Sequence, residues 1–361
     1  MKNRREPLDR IRLRRDTQQW EFDRAIKETG RVYEFQPSGR GPLPETVRMH
    51  GMIAKHLGRV AERLERLADE EAAAGHDATA LDFYFDAAAQ YAQAQHTIMV
   101  NNAEKRHLHG SSLRCYDEVR ARAPYVIEHV DIPWGDSIVS GNLHLAPLEG
   151  AAPCVVFLPG CDMTKEMVPH PRYNYAAQRG MHLFVFDGPG QGESNLRGIP
   201  LTIANYEDAA STALTYLLTR PEIDEARVSL LATSFGSYWG VRLAATDHRF
   251  VAAAFPAASL CDTYHLMEEE SPRYKQLFAY LTHARSEAEL DAFVAQMDLR
   301  PFIPEIQCPS LFTIGEYDLP RSPLEEVYEI FDRVRAPAEL WVYADQHHAA
   351  ALRGPDNPPP M

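Results

Sequence analysis

The chain has 361 residues, 45% of them hydrophobic and 10% aromatic, enough for a large interior and long for a single core. A formal net charge of −14 argues against nucleic acid or an anionic membrane surface as a main partner. The five cysteines are odd in number and scattered without a CxxC pair, which fits a reducing compartment rather than a disulfide framework.

In chain order, the N-terminal Met1-Lys-Asn-Arg-Arg-Glu-Pro is charged and lacks the apolar run of a secretory signal. No uninterrupted apolar stretch approaches a membrane span, so a cytoplasmic protein with no membrane partner is expected. From Glu45 to about Arg122 the pattern is helical. Met49, Met52, Ile53, Leu57, Val60, Leu64 and Leu67 recur at steps of three and four, and Gly75 suits a terminator. Asp77 is expected to cap a second helix with the apolar stripe Leu81, Tyr84, Phe85, Ala88, Tyr91 and Ala92. One such pair is too few for a solenoid, so residues 1–123 are expected to form a helical domain covering its neighbour. His107 and His109 have no Cys, Asp or Glu cluster beside them, and packing or surface roles are favoured over a metal site.

After about Pro124 the chain changes to short β-rich runs, and residues 124–361 are expected to form an α/β core. Tyr125–Ile132 and Ser137–Leu145 read as an antiparallel pair around Trp134-Gly135-Asp136. Cys154–Leu158, His182–Phe186, Val228–Ala232, Val251–Phe255, Ser310–Ile314 and Glu339–Tyr343 read as strands buried on both faces. Helical segments lie between them. Asn205-Tyr-Glu-Asp208 suggests a capped helix start, and Ser322-Pro323-Leu-Glu325 a capping box. This alternation implies a doubly wound, mostly parallel sheet with functional loops at the C-terminal ends of its strands. The interval of about 260–308 breaks the rhythm. It is rich in aromatics (Tyr264, Tyr274, Phe278, Tyr280, Phe293) and is expected to be a cap over a pocket.

The run Val228-Ser-Leu-Leu-Ala-Thr-Ser234-Phe-Gly236 reads as strand, sharp turn and helix with a serine at the apex, flanked two residues away by Ala232 and Gly236. A serine hydroxyl needs a general base, itself oriented by a carboxylate. In such folds the order is serine, acid, histidine. Asp318 follows the strand Ser310–Ile314, and the adjacent His347 and His348 follow the last strand. His347, nearer the strand end, is favoured as base, with His348 as the alternative. Asp262 and, more weakly, Glu316 rival Asp318 as the acid. The oxyanion of an acyl-transfer step calls for backbone donors. The N–H of Phe235, after the nucleophile, and that of Cys161, in the loop after Cys154–Leu158, are the candidates. The glycines of Asp187-Gly-Pro-Gly-Gln-Gly192 fit neither a P-loop nor a dinucleotide fingerprint, and this segment reads as a turn at the rim of the site.

On these motifs the chain resembles the α/β-hydrolase superfamily. Phe186 to Glu193, Phe-Asp-Gly-Pro-Gly-Gln-Gly-Glu, together with the helical N-terminal region, is similar to one branch of it. That branch holds bacterial 2,6-dihydroxypseudooxynicotine hydrolases and fungal heptaketide hydrolases. The resemblance implies hydrolysis of a carbon–carbon bond next to a carbonyl, or of an ester-like bond, by Ser234, Asp318 and His347. It also implies no cofactor and a homodimer. One departure is the tail Ala349 to Met361, too short and proline-rich for the helix that usually follows the catalytic histidine. The expected function is therefore a serine hydrolase acting on a small acyl ketone or polyketide-like aromatic substrate. The alternatives are a carboxylesterase or thioesterase, and a non-catalytic binder on the same scaffold.

Overall fold

The computed structural model describes residues 47, 49–258, 267, 272–318, 322–344, 346 and 348. Three long helices come first, α1 (Ile53–Ala73), α2 (Asp77–His96) and α3 (Ala103–Arg122). Their shared core is built from small residues such as Ala61, Ala68, Ala80 and Ala88, which let the helices approach closely, with the rings of Tyr84, Tyr91 and Tyr116 between them. The tyrosine tips stay polar: Tyr84 donates to Asp69 and Tyr91 to Glu65, each at 2.7 Å. Asn102 caps α3 by accepting from the Lys105 N–H at 2.8 Å. Asp77, expected as a cap, is instead the first residue of α2, where its carboxylate suits the positive end of the helix. Met49 is exposed, so the apolar stripe begins later than its periodicity suggests.

Among the described residues an eight-stranded sheet follows, with the order β1-β2-β4-β3-β5-β6-β7-β8. Its strands are β1 (Val126–Trp134), β2 (Ser137–Leu145), β3 (Ala152–Leu158), β4 (His182–Phe186), β5 (Ile223–Ala232), β6 (Ala253–Phe255), β7 (Ser310–Gly315) and β8 (Ala338–Tyr343). The β1–β2 and β2–β4 pairs are antiparallel and the rest are parallel. Every residue of β4 is buried, as covering both faces requires. Six of the eight strands differ from their expected bounds, most of them by one or two residues. β5 begins at Ile223, because a register shift lets that residue pair with Ala152 ahead of the regular ladder. β6 is shorter at its start, where Val251 is exposed.

The connections place α4 (Gly192–Leu196), α5 (Asn205–Leu217), α6 (Phe235–Thr246) and α9 (Leu324–Phe331) around the sheet. α5 buries Tyr206, Ala209, Ala210, Ala213, Leu214 and Leu217, the face that its 3.6-residue period defines. Asn205 lies inside the helix rather than capping it. The Ser322 hydroxyl is likewise diverted from its expected capping role and donates to the Ala258 carbonyl at 3.0 Å. Between β6 and β7 lie α7 (Pro272–Thr282) and α8 (Glu287–Val294). Phe278 of α7 is buried against Phe235, which brings this insertion over the C-terminal ends of the strands. No helix among the described residues is long and apolar enough to cross a membrane.

Candidate active site

β5 ends at Ala232, and the chain reverses within two residues into α6. Ser234 is at the apex with φ 55° and ψ −122°, a region that residues with a side chain rarely adopt. Two close approaches explain why the flanks must be small. A Cβ on Gly236 would lie 2.2 Å from the Leu158 carbonyl oxygen, and one on Gly240 would lie 2.5 Å from the Ala232 Cβ. The first lets the turn fold back on β3, and the second lets α6 cross the end of β5. With alanine at 232, position 240 therefore has no room for a side chain.

The candidate acid lies in the loop after β7, where a turn from Gly315 to Asp318 carries the carboxylate into a nearly inaccessible position, 1% exposed. The Ser322 N–H ties to the Asp318 carbonyl at 2.7 Å and closes the other side of this loop. The candidate base lies in the segment after β8. Glu316 N–H donates to Tyr343 and Tyr317 N–H to Gln346, so the two loops are laced together past the last strand pair.

His348 Nε2 lies 2.6 Å from Ser234 Oγ, and its Nδ1 lies 2.8 Å from both oxygens of Asp318. A carboxylate only accepts, so Nδ1 carries the proton, Nε2 is the acceptor, and the serine hydroxyl donates. His347 lies outside the described residues, and His348, the alternative, is the imidazole in contact with Ser234. The lacing as far as Gln346 extends the run-off from β8 and leaves the turn towards Ser234 to a residue further on. Of the rival acids, Glu316 has its N–H tied to Tyr343 on the neighbouring strand, and Asp262 lies outside the described residues.

The loop after β3 passes beside the serine: a Cβ on Gly160 would come within 3.7 Å of the Ser234 Cβ. Cys161 follows, its thiol directed to the Tyr274 hydroxyl at 3.9 Å. Phe235, Phe278 and Tyr274 form an aromatic wall, with centroid separations of 5.5 Å for the first pair and 5.1 Å for the second. Behind it Tyr206 stacks on Trp239 at 5.4 Å. His107 and His109 face opposite ways on α3, the first exposed and the second buried, as their two-residue spacing on a helix dictates.

A buried ionic cluster under the loop after β3 was not evident in the sequence. Lys165 Nζ meets Glu166 at 2.7 Å, Glu193 at 2.8 Å and Asp187 at 3.1 Å, with no exposure of its side chain. Burial alone would push the Lys165 ammonium down, but the charges of Asp187, Glu166 and Glu193 raise its pKa above the ordinary value. The Asp187–Glu193 segment, read as a rim turn, therefore also grips the neighbouring loop. The signal that could have found this is a pair of acids bracketing a glycine-rich turn, with a lone lysine after the preceding strand.

Comparison with known proteins adds to this geometry. A family model described as esterase FrsA-like matches residues 62–278, more than half of the chain. The chain is 27% identical over 279 residues to the 2,6-dihydropseudooxynicotine hydrolase of Paenarthrobacter nicotinovorans, covering 75% of this chain and 72% of that one. It is 30% identical over 232 residues to the α/β hydrolase xenA of Xenoacremonium sinensis, covering 60% and 53% of the two. It is also 28% identical over 225 residues to the 20-hydroxy-prefusarin hydrolase FUS2 of Gibberella moniliformis, covering 59% and 53%. The chain spans about half the length of these two fungal relatives. The crystal structure of a 2,6-dihydroxy-pseudo-oxynicotine hydrolase superposes with a TM-score of 0.74 at 22% identity, over 95% of this chain and 89% of that one. The fold is that of the α/β-hydrolases.

Proposed function

Because the chain belongs to the esterase FrsA-like family, we propose that it is a serine hydrolase whose nucleophile is Ser234. The observation that carries this reading is the continuous relay from Ser234 through His348 to Asp318, with contacts of 2.6 and 2.8 Å. His348 takes the serine proton as Oγ attacks a carbonyl, and Asp318 holds the imidazole in the required tautomer and favours its charged form. The N–H groups of Phe235 and Cys161 receive the developing oxyanion. The mechanism uses only the chain's own groups and calls for no cofactor or metal.

The substrate is a small acyl ketone or polyketide-like aromatic compound, cleaved at a carbon–carbon bond beside a carbonyl. Two things support this: the wall of Phe235, Tyr274 and Phe278 beside the serine, and relatives named as hydrolases of pseudooxynicotine and prefusarin compounds. In such a cleavage the electron pair of the broken bond leaves with the departing carbon. That carbon must be stabilised by a ring or second carbonyl, and it takes the proton held by His348. Water then attacks the acyl-serine and passes a proton to His348, which hands it to Ser234 Oγ as the acyl–oxygen bond breaks, releasing the acid and returning the free enzyme. On the same reading residues 124–361 are the catalytic unit, residues 1–123 its helical lid, and the enzyme a cytoplasmic homodimer.

A second reading keeps the relay and makes the substrate an ester or thioester; the esterase name of the family favours it. Parallel assays on p-nitrophenyl esters and on 1,3-diketones or acyl phenols separate the two. Turnover of the diketones, lost in Ser234→Ala, supports carbon–carbon cleavage, and fast turnover confined to simple esters rejects it. A pure binding protein has no use for the full relay, and turnover of neither class by the wild type would return that third reading.

A further inference from the structure

Gln191 lies in the turn between β4 and α4 and is itself buried. Its Nε2 donates to the Gly160 carbonyl at 2.8 Å, and its Oε1 accepts from the Tyr206 hydroxyl at 2.8 Å. Gly160 and Tyr206 are buried as well. The carbonyl of Gly160 and the N–H of Cys161 belong to one peptide unit. That unit is planar and trans, so its C=O and N–H point in opposite directions, and whatever holds one aims the other. The same peptide runs beside Ser234, whose Cβ would be 3.7 Å from a Cβ on Gly160.

We propose that Gln191 is a positioning residue for the oxyanion site, holding the Gly160–Cys161 peptide so that the Cys161 N–H faces the carbonyl attacked by Ser234. The inference rests on Cys161 as an oxyanion donor in the function proposed above. Three observations support it independently of that reading. Glycine at position 160 leaves its peptide free to swing, and an outside anchor removes that freedom. The Gly160 carbonyl can only accept, so the glutamine must turn its NH₂ end to it, which leaves the amide oxygen to accept from the Tyr206 hydroxyl. The loop is pinned again further along, where the Lys165 N–H donates to Asp187 Oδ1 at 2.9 Å. Accepting a bond at the carbonyl also polarises the peptide and strengthens its N–H as a donor.

The test uses Gln191→Met, which keeps the volume and removes the donor, and Tyr206→Phe, which keeps the ring and frees the amide to turn. Each is compared with the wild type in steady-state hydrolysis of a p-nitrophenyl ester. Each is also titrated with an alkyl trifluoromethyl ketone, whose carbonyl carbon bonds to the serine oxygen and leaves an oxyanion. In Gln191→Met, kcat is expected to fall about 10- to 100-fold. The inhibition constant of the ketone should rise by a similar factor, while KM moves by less than about threefold. Tyr206→Phe should shift both in the same direction by a smaller factor. A role confined to stability would lower the melting temperature and leave ketone affinity unchanged. Wild-type affinity for the ketone in the folded Gln191→Met protein overturns the proposal, and so does wild-type affinity in Tyr206→Phe if the first variant does not fold. A wild-type enzyme that neither turns over the ester nor binds the ketone overturns the underlying hydrolase reading instead, and this inference with it.

Discussion

Ser234 Oγ and His348 Nε2 lie 2.6 Å apart although 114 positions separate them in the chain. The contact exists because β5 and β8 run parallel within one sheet and deliver their following loops to the same rim. It is the reason for proposing His348 as the base. His348→Ala is expected to lower kcat by about 10⁴-fold or more, and Asp318→Asn by a comparable factor through the wrong tautomer. His347→Ala should stay within about threefold of wild type. Kinetics on any turned-over ester check this, and the reverse ranking of the two histidines would move the base to His347.

Gly236 allows the turn to fold back on β3. Gly236→Ala places a methyl 2.2 Å from the Leu158 carbonyl oxygen, a backbone atom that cannot swing away. The expected cost is about 1–3 kcal/mol of stability, with a loss of about 100-fold in kcat as Ser234 shifts. Denaturation and steady-state kinetics on one preparation test both. Wild-type values for both would show that the turn has room to spare.

Lys165 has no exposure and is surrounded by three carboxylates. Lys165→Met leaves the Asp187 charge buried without its cation, which is expected to destabilise the fold by about 3–5 kcal/mol. The midpoint of urea denaturation measures this. A shift under about 1 kcal/mol would mean that the cluster is already neutral or reached by water.

His144 is buried between two tyrosines, with the hydroxyl of Tyr116 at 3.3 Å and that of Tyr125 at 3.2 Å. Burial pushes its imidazole down to about 3 from an ordinary 6.5. The unfolded chain takes up a proton near the ordinary value, whereas the native imidazole resists it. The contribution to stability is therefore complete above about pH 6.5 and is lost progressively as the pH falls towards 3. His144→Gln, which keeps a donor and an acceptor for the two tyrosines, should flatten the fall of melting temperature between about pH 6.5 and 4. Identical pH profiles for the variant and the wild type would show that the acid sensitivity arises elsewhere.

The strands and their order of use were legible in the sequence because each is a short apolar run bounded by turn residues, as β4 and β7 illustrate. The helix starts were less legible. Ser322 and Asp77 carry capping chemistry, but tertiary demand sends the Ser322 hydroxyl to Ala258, and α2 begins one residue too early for Asp77 to cap it. Local propensity is a weak competitor against a buried carbonyl that needs a donor.

Of the candidate site, Ser234 could be read from its strand-turn-helix setting, and strand-end position put Asp318 ahead of its rivals Asp262 and Glu316 without excluding them. His348 could not be separated from its neighbour, because the choice depends on how far the loops after β7 and β8 stay hydrogen-bonded. The grip of Asp187, Glu193 and Gln191 on the loop after β3 was hidden for a different reason. It joins residues more than twenty positions apart through side chains that no periodicity marks.

Ser234 is proposed as a nucleophile activated by the imidazole beside it. Incubation with a fluorophosphonate, digestion and peptide mass spectrometry test this without knowledge of the substrate. One modified peptide is expected, carrying the phosphonyl group on Ser234, absent in Ser234→Ala and strongly slowed in His348→Ala. An unmodified Ser234 in the folded wild-type protein, or labelling at the same rate without His348, would contradict it.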